Sequence, residues 1–82
     1  MELDGRAVLE IGCGDGRLTW RYADRAAHVV AIDPFAGSIE RARQRLRGTD
    51  LAIDFRHVGF EDFAAGGDAD VFDVALLSWS LC

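Results

Sequence analysis

At 82 residues, half of them hydrophobic and 28% charged, the chain has the composition of one small globular domain, not of a disordered or membrane-spanning segment. Its net charge is −5 and all nine basic residues are Arg, a balance that argues against nucleic acid as a partner. No apolar stretch approaches the roughly 18 residues of a membrane helix, and the start MELDGR lacks the apolar core of a secretory signal, so a cytoplasmic location without a membrane partner is expected.

In chain order, Ala7–Ile11 (AVLEI) reads as a strand buried on both faces, ending at Gly12. Leu18, Tyr22, Ala23 and Ala26 then recur at helical spacing, predicting a helix from about Gly16 to Arg25. His28–Ile32 (HVVAI), closed by Asp33 and Pro34, predicts a second buried strand. Ser38 is the candidate N-cap of a second helix whose inner face carries Ile39, Ala42 and Leu46 and whose stop is Gly48. Arg41, Arg43, Arg45 and Arg47 fan around that helix as a solvated face rather than a phosphate patch. Ile53–Val58 (IDFRHV) alternates apolar and polar residues like a strand near a sheet edge, AAGGDAD is a loop by composition, and Phe72–Leu77 (FDVALL) is a fourth strand. Strands alternating with helices imply a parallel sheet, with ligands collecting beyond the carboxyl ends of the strands.

That is where Gly12, Gly14 and Gly16 fall. Glycines at a strand-to-helix turn allow a sharp bend and are expected to bring bare N–H groups against a ligand. Dinucleotide folds place a third glycine where this chain has Arg17. The pattern is instead E-x-G-x-G-x-G, led by Glu10. A carboxylate there would repel a pyrophosphate and attract an ammonium group, so the expected ligand is partly cationic. Cys13 and Cys82 have no companions at metal-ligand spacing, and neither a metal site nor a disulfide framework is expected.

VLEIGCGDGRLT, followed by VVAID and by FDVALLSWSLC, resembles the S-adenosylmethionine-binding half of a class I methyltransferase over nearly the whole chain. The resemblance implies a Rossmann-like doubly wound α/β sheet, here partial, with four parallel strands in the order 3-2-1-4 and two main helices. It implies that Glu10 approaches the amino group of the cofactor's methionine, directly or through water, while Gly12, Cys13, Gly14 and Gly16 form the turn beneath it. Asp33 would accept hydrogen bonds from the ribose hydroxyls, and Pro34 or Phe35 would pack on the adenine. Gly59 stands where the family often has an acid that reads the adenine amino group, which leaves Phe60, Glu61 and Asp62 as approximate candidates. Ser78 and Trp79 resemble the segment facing the methionine moiety and the acceptor, with Trp79 equally suited to the core. Cys13 reads as a small filler and His57 as a strand residue, and no catalytic base is marked.

The function so implied is S-adenosylmethionine-dependent methyl transfer to an acceptor that the sequence does not identify; the acidic balance favours a small molecule over nucleic acid. Right-handed crossovers put both predicted helices on one face of the sheet. The opposite face is then expected to be bare and the fourth strand an open edge, so the chain reads as a truncated or partial domain that a second polypeptide or a second copy would cover. A non-catalytic interaction module using that bare face is an alternative; a nicotinamide-linked oxidoreductase fragment is another, disfavoured by Arg17 and Glu10.

Overall fold

The apolar run Ala7–Ile11 forms strand β1 in the computed structural model of the chain, which describes residues 4–14, 16, 18–66 and 72–77. Helix α1 is Thr19–Tyr22, strand β2 His28–Asp33, helix α2 Ala36–Leu46, strand β3 Ile53–His57, helix α3 Phe60–Ala65 and strand β4 Val74–Leu77. The four strands form one parallel sheet in the order β3-β2-β1-β4. Register runs from Ala7 opposite His28 to Ile11 opposite Ile32, and from Val29 opposite Ile53 to Asp33 opposite His57. All carboxyl ends therefore share one edge, as the βαβ alternation requires.

Side chains alternate between two faces. Val8, Val29, Ala31, Ile53 and Phe55 pack against Tyr22 and Ala23 at the end of α1 and against Ile39 and Ala42 of α2. Leu9, Val30 and Ile32 point the other way and pack with Phe63 of α3, with Phe72 beside them. The expectation of a bare second face is corrected here: α3, which was not predicted and whose last two residues enter the stretch read as loop, lays Phe63 on that face. Glu61 and Asp62 in its first turn suit the positive end of the helix, and Gly66 closes it by donating to the Phe63 carbonyl at 3.1 Å. Among the described residues β4 pairs with β1 alone, and no helix is long and apolar enough to cross a membrane.

Two helix boundaries also differ from expectation. The α-helical part of α1 is only four residues, because Gly16 has φ +89° and the far end tightens into a three-residue turn, Arg25 N–H to the Tyr22 carbonyl at 2.9 Å. Helix α2 begins two residues before Ser38: Asp33 Oδ1 accepts the Phe35 N–H at 2.8 Å and turns the chain into the helix, so an Asx turn does the work assigned to Ser38. The arginines of α2 are partly committed. Arg43 donates twice to the Phe55 carbonyl, at 2.8 and 3.0 Å, and Arg45 lies 4.9 Å over the Trp20 ring, tying α2 to β3 and to α1.

Candidate functional site

The turn after β1 is built on positive φ at Gly12 (+73°), Gly14 (+59°) and Gly16 (+89°). Its amides are not bare, contrary to expectation. Gly12 and Cys13 both donate to the Ile32 carbonyl (2.9 and 3.1 Å), Gly14 donates to Asp33 Oδ2 (2.9 Å), and Gly16 donates to the Cys13 carbonyl (3.0 Å). The turn instead offers shape: a Cβ at Gly14 would enter open space, with nothing within 4 Å. Gly16 faces inward, where a Cβ would meet the Trp20 indole nitrogen at 2.9 Å.

Beyond the carboxyl ends of β1, β2 and β3 lies a cleft of about 330 Å³. Ile11 and Gly12 come to it from β1, Ile32, Asp33, Pro34 and Phe35 from β2 and its turn, and Val58, Gly59 and Phe60 from the exit of β3. Among the described residues Asp33 is the acidic group of the cleft's lining, and it is only 5% exposed. Its two oxygens pin both turns that frame the cleft, one through Gly14 N–H and the other through Phe35 N–H. The third side is tied in by Val58 N–H on the Asp33 carbonyl (3.0 Å) and by the His57 Nε2 contact with the Pro34 carbonyl (2.9 Å). Phe35 and Phe60, two phenyl groups lining the cleft, are exposed at 70% and 45% among the described residues.

Glu10 is elsewhere. On β1 it alternates to the face of Val8, so its carboxylate lies under α1, fully buried, where Oε1 accepts the Thr19 and Tyr22 hydroxyls at 2.6 Å each. Glu10 is not among the residues that line this cleft. Its Oε2 and the Trp20 Nε1 are buried without a hydrogen-bond partner among the described residues. Burial above all, then the neighbouring Glu10 carboxylate and its hydrogen bond, push the Tyr22 hydroxyl far above its ordinary 10.0.

That shift has a sign. The folded chain keeps the Tyr22 proton at a pH where the unfolded chain releases it, so the contribution is complete below pH 10.0 and fades as pH rises beyond it, by about 1.4 kcal/mol per pH unit. Tyr22 is the single tyrosine of the sequence, so the tyrosinate absorbance reports it alone. We expect that absorbance to rise only with alkaline unfolding, and Tyr22→Phe to remove the alkaline slope of the urea midpoint. A reversible titration near 10.0 in the folded chain would contradict the buried pairing.

Residues 8–82 match the profile of a protein family described as a methyltransferase domain. The chain belongs to the methyltransferase-domain family. It is 40% identical over 74 residues to a ubiquinone biosynthesis O-methyltransferase of Methylocella silvestris, covering 90% of this chain and 28% of that protein. Among solved structures, the bifunctional kinase-methyltransferase WbdD superposes with a TM-score of 0.77 at 29% identity, over 87% of this chain and 16% of that one. A phosphoethanolamine N-methyltransferase of Haemonchus contortus, solved with phosphoethanolamine and S-adenosylhomocysteine, gives a TM-score of 0.62 at 28% identity over 68% of this chain and 12% of that one. The chain thus spans less than a third of the length of the curated relatives it matches, 28% and 30% for two of them.

In this methyltransferase domain the predicted residues divide by position. Gly12, Asp33, Pro34 and Phe60 meet at the cleft, and Phe35 joins them. Cys13 is buried beneath the turn with its thiol on the Gly14 carbonyl (3.5 Å), and Gly14 bonds the cleft's carboxylate without lining the cleft itself. Glu61 is exposed in the first turn of α3, away from the lining, and Gly16 is turned into the core. Ser78 and Trp79 lie outside the described residues. Ile11, Ile32 and Val58 line the cleft without having been singled out as site residues, and Gly59, noted in the sequence only for standing in place of an acid, lines it too. Their signal was available only as position, since each stands at or just past the carboxyl end of a strand.

Proposed function

We propose that this chain supplies the S-adenosylmethionine cleft of a methyltransferase whose methyl acceptor is a small molecule. The observation that carries the reading is Asp33: a buried carboxylate lining an apolar cleft at the carboxyl end of β2, a cleft also lined by two exposed phenyl groups, Phe35 and Phe60. The residues fit the cofactor. A nucleoside asks for flat apolar walls and for acceptors facing its ribose hydroxyls; Pro34, Phe35 and Phe60 provide the walls, and an ionised Asp33 accepts only, with lone pairs left after its two backbone bonds. The left-handed Gly14, free of any neighbour where a Cβ would stand, admits close approach of a ligand to the backbone.

When bound, the cofactor supplies a methyl group already activated on a sulfonium, so the protein's contribution is placement and exclusion of water. The apolar lining of Ile11, Ile32 and Val58 keeps water from the cleft, while the two turns pinned by Asp33 fix the position of its floor. The names of the curated relatives support an oxygen nucleophile on a small organic acceptor, and the acidic net charge fits that better than a nucleic acid. Calorimetric titration tests the reading. S-adenosylhomocysteine is expected to bind and NAD to give no heat; NAD binding with S-adenosylhomocysteine silent would overturn it in favour of a nicotinamide site.

A further inference from the structure

The buried Glu10 is not part of the cleft, yet it sits at the start of a chain of bonds that ends there. Glu10 Oε1 holds Thr19 and Tyr22, the first and last residues of α1, at 2.6 Å each. Helix α1 is only four residues long and its hydrogen bonding starts at the Gly16 carbonyl, which accepts the Trp20 N–H at 3.1 Å. So short a helix has little stability of its own, and its position over β1 depends on what fastens it. Gly16 in turn donates to Cys13, and Gly14 donates to Asp33 Oδ2 at 2.9 Å. A shift of α1 is therefore passed along the glycine turn to the carboxylate on the cleft floor.

Resting on the cofactor reading above, we propose that Glu10 is a positioning residue: it sets the glycine turn and the Asp33 carboxylate through the Thr19 and Tyr22 hydroxyls and makes no ionic contact with the ligand's ammonium group. A direct ionic contact and a positioning role leave different marks. An ionic contact is felt only by ligands that carry the amino acid moiety. A displaced turn weakens the adenosine half as well, because Asp33 belongs to that half of the cleft.

The test titrates the full chain with two probes, S-adenosylhomocysteine, which carries the ammonium group, and 5′-methylthioadenosine, which lacks it. Glu10→Gln, Tyr22→Phe and Thr19→Val are each expected to weaken both probes by the same factor, about tenfold, the scale of one hydrogen bond to a charged group. Thr19→Ser, which keeps the hydroxyl, recovers most of what Thr19→Val loses. Loss of S-adenosylhomocysteine alone in Glu10→Gln, with the hydroxyl variants silent, would overturn the proposal, as would unchanged affinities throughout. Should Glu10→Gln fail to fold, Tyr22→Phe and Thr19→Val decide by the same pattern. If the wild-type chain binds neither probe, the cofactor reading is what fails. Amide exchange at Gly14 and Gly16 then still reports the positioning role, expected to quicken in Glu10→Gln and Tyr22→Phe, with unchanged exchange refuting it.

Discussion

Gly16→Ala is expected to remove about 2–5 kcal/mol of folding stability, a large share of the roughly 5–15 kcal/mol that a domain possesses. Two costs combine. The backbone at φ +89° disfavours any side chain, and the new Cβ would stand 2.9 Å from the Trp20 indole nitrogen and 3.3 Å from Phe55 Cζ. Phe55 has little room to yield, while Trp20 is only partly buried and held by its neighbours. Phe55 is 2% exposed in the core, its ring centroid is 5.7 Å from that of Trp20, and the outer face of Trp20 is covered by Arg45. Gly14→Ala is the natural control, because φ +59° is similarly left-handed but nothing lies within 4 Å, so only the backbone cost of about 1–2 kcal/mol applies. Urea midpoints of the two variants separate steric from backbone cost. Equal midpoints would mean that the Trp20 ring moves aside and that the inward role of Gly16 is wrong.

The contrast between these two glycines also shows where sequence reading stops. Three glycines at alternate positions announce a turn, and Ala7–Ile11 and His28–Asp33 announce the strands beside it, because apolar runs buried on both faces look alike from sequence and structure. Which glycine faces a ligand and which faces a ring depends on Trp20 and Phe55, the latter 39 positions from Gly16 along the chain, and no local pattern carries that. The same limit explains the amides. The donor at Gly14 meets an acceptor 19 residues away, and only the register of β1 beside β2 brings the two together.

Glu10 illustrates the limit from the other side. A lone acid inside an apolar strand signals that some partner must exist, since a buried charge without one is costly. Its partners are two hydroxyls, nine and twelve positions on, and Tyr22 had been legible only as part of an apolar helix face. Helix α3 stayed hidden for a different reason. Six residues with one buried anchor, Phe63, show too little periodicity to be told from loop, and the helix's last two alanines run into a stretch whose glycines and aspartates read as loop. Once α3 is in place, the apolar residues Leu9, Val30 and Ile32 have a partner within the chain.

Asp33→Asn is expected to lower the affinity for S-adenosylhomocysteine by about a hundredfold, equivalent to about 3 kcal/mol. Both carboxylate oxygens accept backbone hydrogen bonds, from Gly14 at 2.9 Å and Phe35 at 2.8 Å. An asparagine has one oxygen and one amide nitrogen, so one of those N–H groups must face another donor, and either the glycine turn or the entry to α2 loses its anchor. The same change removes the negative charge that would favour ribose hydroxyls as donors. These two effects separate in a cycle with S-adenosylhomocysteine lacking its 2′-hydroxyl. If Asp33 receives that hydroxyl, the deletion weakens binding to the wild-type chain and costs little further in Asp33→Asn, because the two changes remove one interaction. If the deletion costs the same in both proteins, Asp33 serves only to pin the two turns, and the ribose must find its acceptor among the other groups around the cleft.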